Sequence, residues 1–149
     1  MKGRFLRKVL ILFLAVSLIS PSLWGCGRKI TLDDAKYTMG KLFDAVRDSD
    51  YQGVARLMHV STSTTASKVE TYLSEVEEKV GGYFSDGLTN IRYTSYEELP
   101  YNGVPGGSKF RIYGTMNVGL SVNVPFIISL IMDGDGYGIN VLDIGGVAL

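Results

Sequence analysis

Lys109-Phe110-Arg111-Ile112-Tyr113-Gly114-Thr115-Met116-Asn117-Val118-Gly119-Leu120-Ser121-Val122-Asn123-Val124-Pro125-Phe126-Ile127-Ile128-Ser129-Leu130-Ile131-Met132 places an apolar residue at every second position. Only Gly114 breaks the series. Arg111, Tyr113, Thr115, Asn117, Ser121 and Asn123 fill the alternate positions. Side chains of a strand alternate between its two faces, so a sustained period of two marks strands with one buried face. The run is too long for one strand of ordinary length, which predicts a hairpin near residues 119–123. Downstream, Asp133-Gly134-Asp135-Gly136 predicts a second turn, and Tyr137, Ile139 and Val141 a last strand. Upstream, residues 91–97 alternate as a strand, and Pro100, Asn102, Gly103, Pro105, Gly106 and Gly107 form a connecting loop. The count is four antiparallel strands.

Ahead of them the period changes to that of a helix. Ala35, Met39, Leu42, Phe43 and Val46 recur at helical spacing, with Lys36, Lys41, Asp44 and Arg47 between them. Thr31 with Asp34 resembles a capping box, and Asp33 and Asp34 suit the positive end of the helix dipole. Gly40 costs about 1 kcal/mol against Ala in a helix interior, and a close backbone contact would account for it. Asp48-Ser49-Asp50 separates this helix from a short one over residues 51–58. A hydroxyl-rich link, residues 61–65, leads to a third helix with Val69, Tyr72, Leu73, Val76 and Val80 on one face. Gly81-Gly82 stops it. The expected class is α+β: three N-terminal helices packed on a curved four-stranded antiparallel sheet.

The first residues carry a different signal. Lys2, Arg4, Arg7 and Lys8 precede an apolar stretch, residues 9–19, that closes on Leu23-Trp24-Gly25-Cys26. That stretch has the length of a signal-peptide core, roughly 7–15 residues, and falls short of the about 20 that span a bilayer. The order resembles a bacterial lipoprotein signal, in which Leu23 and Gly25 guide cleavage before a lipid-bearing Cys26. Trp24 stands where such signals carry a small residue. The competing readings are an uncleaved anchor and an ordinary signal peptide with a stray cysteine. The expected division is a leader over residues 1–25, a lipidated tether over 26–30 and a folded domain over 31–149. Lipoproteins of this type carry a thioether-linked diacylglycerol and an amide-linked acyl chain, enough for stable anchoring. The expected location is extracytoplasmic, on the cell membrane, or on the outer membrane in a two-membrane host because Gly27 is not an Asp.

Charge and cysteine content narrow the function. Four of the fifteen basic residues lie in the leader, which leaves eleven against fifteen acidic ones and a net charge of about −4. No cationic run survives beyond Arg28-Lys29, so nucleic acid is not an expected partner. Cys26 is the single cysteine, which removes disulfides and thiolate metal sites. From Cys26 to the first helix only four residues intervene, each spanning at most about 3.5 Å, so the domain sits close to the bilayer.

Leu42-Phe43-Asp44-Ala45-Val46, then Asp48-Ser49-Asp50-Tyr51 leading into Val54-Ala55-Arg56-Leu57-Met58, and the closing Asp135-Gly136-Tyr137-Gly138-Ile139 together resemble the nuclear transport factor 2-like, or cystatin-like, α+β cone. The resemblance covers residues 31–144. It implies a sheet wrapped around helices, often with a pocket, as in small bacterial lipoproteins that include lumazine-binding-like relatives. Those relatives often place Trp where this chain has Tyr137.

Candidate sites are few. Asp133, Asp135 and Gly138 fit part of a calcium loop, but Tyr137 and Ile144 occupy positions that need oxygen donors, so a hairpin turn is the better reading. No metal or cofactor is expected. His59, the one histidine, lacks a partner at metal-binding spacing and reads as a surface cap or helix-end hydrogen bond. A Ser-His-Asp arrangement is not excluded by spacing, though no nucleophile-elbow motif is present. Tyr72, Tyr93, Tyr113, Phe110 and Phe126 are the candidates to line a pocket in the cone. The expected function is non-catalytic: a membrane-anchored domain that binds an envelope protein or a small apolar ligand. The alternatives are an isomerase- or dehydratase-like enzyme in the cone and an accessory structural subunit of an envelope complex.

Overall fold

The computed structural model describes residues 29–99, 101 and 106–149. Three helices come first: α1 (Leu32–Arg47), α2 (Tyr51–Leu57) and α3 (Ala66–Val80). Then come five strands: β1 (Leu88–Leu99), β2 (Ser108–Val118), β3 (Ser121–Asp133), β4 (Gly136–Ile144) and β5 (Val147–Ala148). They form one antiparallel sheet in the order of the chain. The sheet therefore has five strands, not the four read from the sequence. The added strand follows Gly145-Gly146, whose φ values of 63° and 77° make a turn that only glycine takes without strain. That turn folds Val147 back onto Ile144 and Ala148 onto Asp143. Two residues are too short to show a period, so β5 leaves no trace in the hydrophobic pattern.

Helix boundaries follow their caps. Thr31 Oγ1 accepts the Asp34 N–H at 3.1 Å and the Asp34 carboxylate accepts the Thr31 N–H at 3.1 Å, completing the capping box. Asp50 caps α2 by accepting the Gly53 N–H at 2.8 Å. Gly81, at φ 71°, closes α3 in the left-handed conformation. Gly40 is the exception to the sequence reading. A Cβ there would have nothing within 4 Å, so no close contact requires the glycine. Gly40→Ala is expected to stabilise the fold by about 0.5–1 kcal/mol, read as a raised denaturation midpoint in urea.

The helices cover one face of the sheet. Met39 and Leu42 of α1, Val54 of α2 and Val76 of α3 are fully buried against Ile112, Met116, Ile128, Leu130, Ile139 and Leu142. Burying such side chains is the main stabilising term in the fold, at about 25 cal/mol per Å2 of apolar surface. The period of two holds through β2, where Phe110, Ile112, Gly114, Met116 and Val118 are buried in alternation. It fails at the hairpin tip. Leu120 and Val122 are 96% and 68% exposed. Asn123, at φ 56°, is an extra residue in the β2–β3 ladder, and this bulge turns Val122 outward while Val124 faces the core.

The two sheet edges differ. At the β4 edge, β5 pairs at one end, and the chain leaving α2 crosses at the other. There Met58 bridges Ile139 in parallel, and the His59 N–H donates to the Ile139 carbonyl at 2.7 Å. At the opposite edge β1 pairs only with β2 among the described residues. Nine of the twelve β1 residues are exposed, all but Leu88, Ile91 and Leu99.

Candidate functional site

A groove of about 340 Å3 lies between the start of α1 and the open strand β1, lined by Leu32, Lys36, Tyr93, Thr94, Ser95, Tyr96 and Ile112. A bulge builds it. The β1–β2 register shifts between Tyr93 and Ser95, so Tyr93 pairs with Gly114 and Tyr96 with Ile112. Both tyrosines, three residues apart, therefore stand on the helix-covered face, where an unbroken strand would separate them. The Tyr93 ring meets Phe126 edge-on at 6.4 Å, and the Tyr96 ring stacks on Phe110 at 5.8 Å. Partial burial pushes the Tyr93 hydroxyl above its ordinary pKa, so it remains a neutral donor. The Lys36 ammonium stands at the rim, and none of the lining residues is acidic. The site offers flat aromatic and aliphatic surface with one positive charge, which suits apolar ligands and extended chains.

The pocket candidates of the sequence separate. Phe110 and Phe126, 3% and 1% exposed, fill the core, where Phe126 meets Phe43 edge-on at 5.4 Å. Tyr93 lines the groove. Tyr113 stands on the other face of the sheet, where its hydroxyl donates to Glu97 Oε1 at 2.7 Å. Tyr72 is on the buried face of α3 and does not line the groove; it borders a separate shallow cleft that includes Thr71, Glu75, Ala148 and Leu149. Burial pushes the Tyr72 hydroxyl strongly up, nearby Asp143 adds to this and the Ile144 amide opposes it; the oxygen makes no full hydrogen bond among the described residues. Leu32, Lys36 and Tyr96 were not among the sequence candidates. The bulge that recruits Tyr96 has no marker in Thr94-Ser95.

A second polar cluster sits at the β3–β4 turn. His59, 2% exposed, is not a surface residue. Its Nδ1 accepts the Ser61 N–H at 3.2 Å and lies 2.7 Å from Ser61 Oγ. Nε2 is then the protonated nitrogen and donates to Asp133 Oδ1 at 3.1 Å. Asp133 Oδ1 also accepts the Asp135 N–H at 2.9 Å, and Oδ2 accepts the Tyr101 hydroxyl at 2.8 Å. The distances resemble a nucleophile-base-acid relay, but the roles do not follow. The nitrogen that would take the Ser61 proton already holds a backbone N–H, and the carboxylate is occupied by three donors. The cluster acts as a latch joining the chain after α2, the β3–β4 turn and Tyr101.

The Tyr101 hydroxyl holds the Asp133 carboxyl below the usual carboxylate range; the Asp135 N–H and His59 add to this, and burial opposes it. Because the folded value is depressed, the latch stabilises the fold at pH above the unfolded carboxylate value of about 4. That contribution is lost as pH falls through the folded value. Asp133→Asn is expected to lower neutral-pH stability and flatten the decline below about pH 4, as measured by urea unfolding across pH. An unchanged acid limb would show that another carboxylate sets it.

Asp133 and Asp135 form the tight turn expected of an Asp-Gly hairpin. Among the described residues no group of three His, Cys, Asp or Glu could hold a metal ion, and no helix is long and apolar enough to cross a membrane. Leu23, Gly25 and Cys26 lie outside the described residues. Of the tether, the Lys29 ammonium lies 3.8 Å from Glu98, and Ile30, 2% exposed, donates its N–H to Ser108 Oγ at 3.0 Å. No model of a known protein family matches the chain, and a search of curated proteins finds no match.

Proposed function

We propose that this chain is a membrane-anchored extracytoplasmic lipoprotein whose folded part is a non-catalytic binding domain, with the α1–β1 groove as its binding face. The groove carries the reading: Tyr93, Tyr96, Leu32 and Ile112 offer carbon surface beside an open strand, with Lys36 at the rim. That chemistry fits a small apolar ligand or the apolar side chains of an envelope protein, and supplies no acidic base for proton abstraction. The leader supports the location through Leu23, Gly25 and Cys26, and the Ile30–Ser108 bond supports a short reach from the bilayer. The resemblance to nuclear transport factor 2-like lipoproteins belongs to the same proposal, and the helices-then-sheet order is compatible with it.

Cys26→Ala, expressed in a bacterial host, is expected to move nearly all of the protein from the membrane pellet to the soluble fraction. Native mass spectrometry of the wild-type chain from detergent is expected to show an apolar adduct that Tyr96→Ala loses. A membrane-bound Cys26→Ala protein would remove the anchor, and an adduct indifferent to Tyr96 would remove the groove.

A further inference from the structure

Arg92-Tyr93-Thr94-Ser95-Tyr96-Glu97, at the centre of β1, is complementary to itself when read in the opposite direction. Laid antiparallel on a second copy, Arg92 meets Glu97, Tyr93 meets Tyr96, and Thr94 meets Ser95. Opposite charges, paired aromatics and paired hydroxyls are the three kinds of cross-strand neighbour that stabilise a sheet. We infer that this chain forms a twofold dimer by pairing the β1 edge of each copy, which joins the two α1–β1 grooves into one site.

The bulge decides whether such pairing is geometrically sound. In a two-fold antiparallel pair, opposed residues must lie on the same face of the joined sheet. Residues 92 and 97, or 93 and 96, are an odd number apart, so in an unbroken strand they would lie on opposite faces. The register shift between Tyr93 and Ser95 reverses this. Tyr93 pairs with Gly114 and Tyr96 with Ile112, both on the core face. Arg92 pairs with Thr115 and Glu97 with Arg111, both on the other face. The irregularity that builds the groove therefore makes the self-pairing register consistent on both faces.

Charge and edge access point the same way. The Arg92 side chain makes no ion pair, hydrogen bond or ring contact among the described residues; it is exposed, on the same face as Glu97 but farther along the strand. Glu97 stands 3.9 Å from Arg111 and accepts the Tyr113 hydroxyl, so its position is already set for an incoming cation. Opposite it would come Arg92 of the partner subunit. The β4 edge is covered by β5 and the Met58–Ile139 bridge, whereas the β1 edge carries its outward N–H and C=O groups without a partner strand among the described residues. On the core face, Tyr96 of the partner subunit would come beside Tyr93 and extend the groove past the dyad.

The dimer stands on β1 alone; its role as a joined binding site rests on the groove reading above. The test is a charge swap on the full-length chain in detergent, followed by sedimentation velocity over a hundredfold range of concentration. Wild type is expected to show a reversible monomer–dimer equilibrium. Arg92→Glu alone and Glu97→Arg alone each place like charges opposite each other twice and are expected to weaken association by about tenfold or more. The double variant, and an equal mixture of the two single variants, restore both pairs and are expected to return near wild-type association. Circular dichroism confirms that each variant is folded, and the mixture reads the pairing even where Glu97→Arg disturbs Tyr113. A wild-type chain that stays monomeric, or a dimer indifferent to both swaps and their rescue, would overturn the inference. Neither outcome depends on a retained ligand or on the state of residue 26, so failure here is distinct from failure of the proposed function.

Discussion

Gly138→Ala is expected to lower the melting temperature by about 10 °C. A Cβ at position 138 would stand 2.7 Å from both N and Cα of His59 and 3.0 Å from the Met58 carbonyl carbon. These are backbone atoms, and three bonds prevent their retreat. The His59 N–H is tied to the Ile139 carbonyl at 2.7 Å, and the His59 ring is held by Asp133 and Ser61 at its two nitrogens. The chain after α2 must lift from β4 to admit the methyl group. It would lose the Met58–Ile139 bridge and part the buried His59 from Asp133. Overpacking together with a broken buried network costs about 3 kcal/mol, a large share of the 5–15 kcal/mol available to a domain of this size. Each kcal/mol corresponds to about 4 °C at this length. Thermal unfolding followed by circular dichroism reads the effect, and a change under 2 °C would mean that the crossing at Gly138 is looser than described.

Gly114→Ala should be comparably destabilising for a different reason. Its Cβ would fall 2.2 Å from Phe126 Cζ and 2.5 Å from the Arg92 carbonyl oxygen. The Phe126 ring is 1% exposed and wedged between Phe43 and Tyr93. It cannot swing aside without opening the core, and the Arg92 oxygen belongs to the β1–β2 ladder. The expected loss is about 3 kcal/mol, measured by urea unfolding. Because Tyr93 leans on Phe126, the variant should also disorder the groove and reduce ligand retention. Gly40→Ala, with the same chemical change in open space, is the control.

The same glycine shows what the sequence made legible. Gly114 is the one gap in the alternating run, and the gap sits where Phe126 needs room across the β2–β3 ladder. The three helices, the β2–β3 hairpin and the Asp133–Gly136 turn were all visible because each leaves a local mark: a period, a cap or a turn dipeptide. Features set by distant contacts left none. Asn123 and the Tyr93–Ser95 shift are bulges, which reverse the facing of every residue beyond them without changing composition. Val122 keeps the alternating pattern yet stands in solvent because of the Asn123 bulge, Leu120 lies in the turn that was expected near residues 119–123, and Tyr96 was overlooked and lines the groove. His59 does make the helix-end hydrogen bond read from the sequence, capping the short turn after α2 through Ser61; only its burial was hidden, because that depends on a crossing over Gly138, 79 residues away along the chain. The fifth strand escaped because two residues after Gly145-Gly146 are too few to carry a pattern.

The membrane-bound binding domain stands or falls on what residue 26 carries. Intact mass spectrometry of the full-length chain, expressed in a bacterial host and extracted from its membranes, reads this directly. The account predicts a polypeptide that begins at Cys26, with the added mass of a diacylglycerol and an acyl chain. A chain that begins at Met1, or one with an unmodified thiol at Cys26, would contradict it.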